Sequence, residues 1–156
     1  MAHEALPSLV ADMAAGVAAA PGSPLQAASV RAAEELARIS IDSPQSVAEQ
    51  PGALGAMVAA AAAGFAATPP DLQGAAMSSL SVLFNVTLSS EELARRVGEE
   101  PGALWALVAA LAAGGASDSP NLQSAAMASA NALDHITGEG PDLGERIVAE
   151  PGALRA

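Results

Sequence analysis

The chain has 156 residues, 51% of them hydrophobic but only 2% aromatic, and its 17 acidic against 6 basic residues leave a net charge of -11. That balance argues against the basic surface a phosphate backbone needs, and so against nucleic acid as a partner. With no cysteine, disulfides, thiolate metal sites and cysteine nucleophiles are excluded.

Roughly a quarter of the residues are Ala, the strongest helix former, so the composition predicts an all-α protein whose helices approach closely across small side chains. Each Ala buries little area, so the few large side chains, Phe65, Phe84, Trp105 and the leucines, carry a disproportionate share of the core. Between Met1 and Pro21 no Lys or Arg occurs and Asp12 interrupts the apolar run. The segment therefore reads neither as a signal peptide nor as a mitochondrial presequence, and an intracellular location, cytoplasmic or nuclear, is expected.

A first helical unit is predicted over about 7–50, opening at Pro7 with Val10, Met13, Ala14 and Val17 as its apolar stripe. Leu25, Ser29, Ala32, Ala33, Leu36 and Ile39 then form the inner face of a second helix. Two further units follow over 51–100 and 101–150, aligned without gaps at a period of fifty residues and about half identical. A period of that size marks stacked supersecondary units, none of which buries its apolar face alone.

Each of these units opens on Pro-Gly-Ala-Leu. Proline suits a first helical position, so Pro51, Pro101 and Pro151 read as helix starts, each reached through a glycine bend. The stripes that follow are Leu54, Met57, Val58 and Ala61, and Leu104, Leu107, Val108 and Leu111. These first helices end near Gly64 and at Gly114-Gly115, before Thr68-Pro69-Pro70 and Ser117-Asp118-Ser119-Pro120. A longer second helix carries Leu72, Ala76, Ser79, Leu80, Leu83 and Val86, matched by Leu122, Ala126, Ser129, Ala130, Leu133 and Ile136. A short third helix runs from about Ser90 to Gly98 with Leu93 and Val97 inward, and recurs over 141–150 with Leu143 and Ile147. The segment 151–156 opens a fourth first helix. The apolar run from Pro51 to Ala67 is mostly Ala and Gly, too weakly hydrophobic for membrane insertion.

This unit resembles the armadillo repeat. The motif is carried by Gly102-Ala103-Leu104-Trp105-Ala106-Leu107-Val108, Leu122-Gln123-Ser124-Ala125-Ala126, Leu83-Phe84-Asn85-Val86 and Arg146-Ile147-Val148-Ala149-Glu150. The resemblance covers nearly the whole chain and implies a right-handed α-α superhelix of three repeats plus the start of a fourth. In that family a ladder of Asn residues on the longest helices grips an extended peptide in a concave groove, with Trp side chains between. Only Asn85 stands at an Asn place here, where the other units have Arg38 and His135. The Trp places hold Glu34, Ser81 and Asn131.

The resemblance therefore implies a non-catalytic scaffold or adaptor for a protein or peptide partner, without the full peptide-gripping ladder. Its groove residues would be Arg31, Glu34, Arg38, Ser78, Ser81, Asn85, Asn131 and His135. The alternative is a structural subunit of a larger assembly, held through its ends and convex face, with self-association at an end surface of Leu143, Ile147 and Leu154. Enzymatic chemistry is not expected. Asp134 and His135 are helix neighbours pointing about 100° apart, and the Glu91-Glu92 and Glu99-Glu100 pairs have no His or Cys companions for a metal. No phosphate-cradling Gly-Lys-Ser/Thr motif occurs, so no cofactor is expected. Trp105 replaces Gly55 beside the core stripe and is expected to pack rather than anchor a partner.

Overall fold

The computed structural model describes residues 2–66, 72–138 and 141–150, and over these the chain is helical without a strand. In order come α1 (Ala2–Val17), α2 (Pro24–Asp42), α3 (Pro44–Glu49), α4 (Ala53–Ala66), α5 (Gln73–Ser89), α6 (Glu91–Glu99), α7 (Ala103–Gly115), α8 (Pro120–Gly138) and α9 (Pro141–Ala149). Among the described residues no helix is long and apolar enough to cross a membrane.

Three antiparallel hairpins, α1 on α2, α4 on α5 and α7 on α8, set the plan. The hairpins lie side by side, so that α1, α4 and α7 form one layer and α2, α5 and α8 a second. The short helices bridge neighbours, α3 packing on α5 and α6 on α8. One apolar cluster runs the length of the stack, with Leu36, Met57, Leu80, Leu83, Leu107 and Ile136 among its fully buried members.

Each Pro-Gly pair makes a tight turn. The Ala53 N–H donates to Gln50 O and the Ala103 N–H to Glu100 O, both at 3.0 Å, while Gly52 and Gly102 take φ of +77° and +83°. Proline at the second position and a left-handed glycine at the third define a type II turn. Pro51 and Pro101 thus stand in the turn, and the helices begin at Ala53 and Ala103, which corrects the expectation that each Pro is the first helical residue. Pro151 lies outside the described residues.

The first unit also differs from expectation. Helix α1 begins at Ala2 and carries Pro7 in its interior, and Leu6, Val10 and Met13 are its buried stripe while Ala14 is exposed. The better anchor for the alignment is Gly16, which occupies the place of Gly64 and Gly114 at the crossing of the first helix onto the second. A Cβ on Gly16 would sit 2.7 Å from Leu25 O, and one on Gly64 2.8 Å from Leu72 O. With the glycines matched, Leu6, Val10 and Met13 fall on Leu54, Val58 and Ala61.

The predicted inner face of the second helices is buried apart from Leu25, Ala130 and the half-buried Leu122. Leu25 is 55% exposed because Gln26 turns inward at the start of α2, its Oε1 accepting from the Gly22 N–H at 2.7 Å. Ala130 is open because no described helix covers α8 as α8 covers Leu80. The third helices fall where expected, and the Ser90 hydroxyl caps α6 by accepting from the Leu93 N–H at 3.2 Å.

Candidate functional site

The residues expected to face a groove all lie on the second-helix layer: Arg31, Glu34 and Arg38 on α2, Ser78, Ser81 and Asn85 on α5, Asn131 and His135 on α8. Ser78 and Asn85 are half-buried and the other six exposed. Spacing of three or four residues on an α-helix keeps each set on one face.

Three hollows open along this layer. One of about 440 Å³ is lined by Gln26, Ala27, Val30, Arg31 and Glu34 at the start of α2. A second, about 240 Å³, lies where α2, α5 and α8 meet, between Ala37, Met77, Ser78, Ser81 and Ala128. The third, about 260 Å³, joins Ser40, Ile41, Asn85 and Leu88. Five of the eight residues therefore line hollows, whereas Asn131 and His135 stand on the open surface of α8. The two smaller hollows suit single side chains of a partner better than a drug-sized ligand, whose sites run from about 300 Å³ upward, and the hollow of about 440 Å³ is a shallow one open to solvent.

Hydrogen bonding decides how free these groups are. Asn85 Nδ2 donates to Ser40 Oγ at 2.9 Å, and Ser40 Oγ donates on to Ala37 O at 2.7 Å. The Asn85 carboxamide is thus tied across to α2 and keeps one N–H and its carbonyl for another partner. Arg38 is engaged by Glu35, its Nε donating to Glu35 Oε2 at 2.9 Å and a second N–H to Glu35 Oε1. These hydrogen bonds hold the Glu35 carboxyl below its usual range and raise the Arg38 guanidinium further. Ser81 Oγ donates to Met77 O at 3.1 Å within its own helix.

On the surface of α6 the charges pair with one another. Arg95 sits between Glu92 and Glu99, donating at 2.7–2.8 Å, and its pKa is raised by those bonds. Among the described residues no three His, Cys, Asp or Glu side chains are placed to hold a metal. Asp134 and His135 are both exposed. Trp105 is half-buried and packs against the core.

The proposed end surface is described only in part. Ile147 on α9 is half-buried against the core, Leu143 falls within the same helix, and Leu154 lies outside the described residues.

Two residues that join units had not been singled out from sequence. Ser40, the acceptor for Asn85, stands at the place of Thr87 and Thr137, and each hydroxyl donates to the carbonyl three residues back. The recurrence of a hydroxyl at one repeat position was the available signal. Arg96 donates from Nη2 to Ala48 O at 3.1 Å and so links α6 to the end of α3. Its repeat counterpart Arg146 is exposed.

No protein-family model, no curated protein and no solved structure matches this chain.

Proposed function

We propose that the chain is an armadillo-like solenoid of three repeats, occupying about 2–50, 51–100 and 101–150, that works as a non-catalytic adaptor. It binds an extended or helical segment of another protein along α2, α5 and α8. The observation that carries this reading is the row of polar side chains and small hollows running across three adjacent second helices. The second helices pack on one another along the stack, and the armadillo resemblance implies that this layer is the concave one.

The groove is adapted rather than a copy of the armadillo ladder. Asn85 spends one N–H on Ser40, Arg38 is neutralised by Glu35, and His135 is free on the surface. Mixed polarity of this kind selects a partner segment with its own hydrogen-bonding groups and small apolar side chains for the hollow around Ser78 and Ser81. With a net charge of -11, the field around the chain favours a basic partner and speeds its approach.

The test pairs groove and back-face variants against a partner recovered by affinity capture. Ser81→Trp, Asn85→Ala and His135→Ala should each weaken binding tenfold or more, about 1.4 kcal/mol, while Ala11→Glu on α1 leaves it unchanged. The opposite pattern would transfer the function to the convex face and ends, as in the structural-subunit reading. That second reading draws on one observation, the exposure of Met127 at 68% and Val148 at 59% toward the C-terminal end of the stack.

A further inference from the structure

Helix α5 carries no charged residue anywhere over Gln73–Ser89, although its outer side meets solvent: Ser81 and Leu88 are exposed, and Met77, Phe84 and Asn85 are half-buried. The charges stand on either bank. On α2 they are Arg31, Glu34, Glu35, Arg38 and Asp42, and on α8 Asp134 beside His135. A floor poor in charge, with Met and an aromatic on it and a charged rim around it, is the pattern of a protein–protein interface.

The hollows follow the seam between α2 and α5. Val30 lines the first and lies beside Gly74 of α5, Ala37 and Met77 line the second, and Ile41 and Leu88 the third. Ile41 and Leu88 share one repeat position and are 71% and 47% exposed. Along α2, Val30, Ala37 and Ile41 are spaced i, i+7 and i+11, and along α5 Met77, Phe84 and Leu88 repeat that spacing. Each set stays within about 20° of one face over about 16 Å of helix axis. An amphipathic helix lying along the seam presents its own apolar stripe at the same intervals.

Backbone hydrogen bonding separates a helical occupant from an extended one. The hydroxyls of Ser40, Ser81 and Ser89 donate to carbonyls of their own helices at 2.7–3.1 Å, and Asn85 has given one N–H to Ser40. An extended segment brings a donor and an acceptor at every residue and would find few partners here, whereas a helix satisfies its backbone internally. Charge sets the flanks of the occupant. Around the floor, the carboxylates of Glu34, Glu35, Asp42 and Asp134 face the guanidiniums of Arg31 and Arg38, and Arg38 is already held by Glu35. We infer that the α2–α5 seam takes an amphipathic helix of a partner protein, about three to four turns long, with Lys or Arg beside its apolar stripe. This rests on the reading of α2, α5 and α8 as the binding face and names the partner segment that the face accepts.

The probe is a fluorescent peptide of about 18 residues, made of Leu, Lys and Ala with Leu at i, i+4, i+7 and i+11, titrated with the full chain in about 0.15 M salt and followed by anisotropy. Two comparison peptides keep its Leu and Lys content: one is scrambled so that Leu surrounds the helix, and one has Pro in place of two central Ala to break it. The amphipathic peptide should bind roughly tenfold or more tighter than either. Ile41→Asn/Leu88→Asn, which leaves the net charge unchanged at two exposed positions, should weaken that binding by roughly tenfold or more. Glu34→Gln/Asp42→Asn should weaken it about threefold and flatten its salt dependence, and Ala11→Asn on α1 should leave it intact. Equal binding of the three peptides, no binding of the amphipathic one, or full binding by Ile41→Asn/Leu88→Asn overturns the inference. If the Pro peptide binds as tightly and shows the same loss with Ile41→Asn/Leu88→Asn, the helical occupant falls while α2, α5 and α8 remain the binding face. Binding that responds to Ala11→Asn and not to the seam variants overturns both.

Discussion

Gly64 sits where α4 crosses α5, and replacing it with Ala sets two effects of opposite sign against each other. Ala is favoured over Gly inside a helix by up to about 1 kcal/mol. Against this, the new Cβ would lie 2.8 Å from Leu72 O and 3.3 Å from Leu72 C, and would overlap the Cβ of Ala76. None of these neighbours is the far end of a flexible side chain, so the helices themselves must separate by roughly 0.5–1 Å, a gap that forfeits a quarter to a half of each contact well. Overpacking of this kind costs about 1–3 kcal/mol, and helix separation is felt across the whole hairpin. The net expectation is a loss of about 1–2 kcal/mol, or a fall in Tm of roughly 2–8 °C for a chain of this size. The control is Gly74→Ala near the start of α5, where the nearest atom is Val30 Cγ1 at 3.8 Å, an ordinary contact. That variant gains helix propensity at little steric cost and should be unchanged or more stable by up to about 1 kcal/mol. Urea and thermal unfolding followed by far-UV circular dichroism measure both. A Gly64→Ala protein as stable as the wild type would refute the close-crossing argument.

Other outcomes follow from single positions. Gly102→Ala forces a side chain into φ of +83° and should cost about 1–2 kcal/mol in urea unfolding, without the clash that makes Gly64→Ala costly. Among the described residues Ser129 Oγ is buried with no hydrogen-bond partner, while the equivalent Ser79 donates to Ala75 O at 2.7 Å. Ser129→Ala should therefore be neutral or raise stability by about 1 kcal/mol, and Ser79→Ala should lower it. Asn85→Ala removes the tie to Ser40 and should cost about 1 kcal/mol by the same assay, separately from its effect on binding. The Glu35–Arg38 pair lowers the Glu35 pKa, so its contribution is present above the unfolded carboxylate pKa and fades as pH falls through the folded value. In an exposed pair this should appear as a weak, salt-sensitive acid dependence that Arg38→Ala abolishes.

Periodicity made the helices legible, because Leu104, Leu107, Val108 and Leu111 keep one face however the units are arranged. The Pro-Gly turns were half legible: the bend was predicted, but Pro51 was put inside the helix because proline is equally at home at a first helical position and in a type II turn. Only the Gln50–Ala53 hydrogen bond separates the two. The register of the first unit was lost because Pro7 resembles the later prolines, while the residue that fixes register is Gly16, whose role depends on the approach of Leu25 and Ser29. At the candidate site the helix faces could be read from spacing, which placed all eight residues on α2, α5 and α8. The engagement of Asn85 by Ser40 could not, since it joins residues in different units through the stacking of α2 on α5.

The central claim is that α2, α5 and α8 form the concave side of the stack. The chain has no cysteine, so paired cysteines can be introduced and spin-labelled without background. Labels at Glu34 and Asn131 report the distance from α2 to α8, and labels at Ala11 and Ala109 report the matching distance from α1 to α7. The account predicts that the Glu34–Asn131 separation is the shorter of the two. Equal separations, or a shorter one between Ala11 and Ala109, would contradict it and move the groove to the other face.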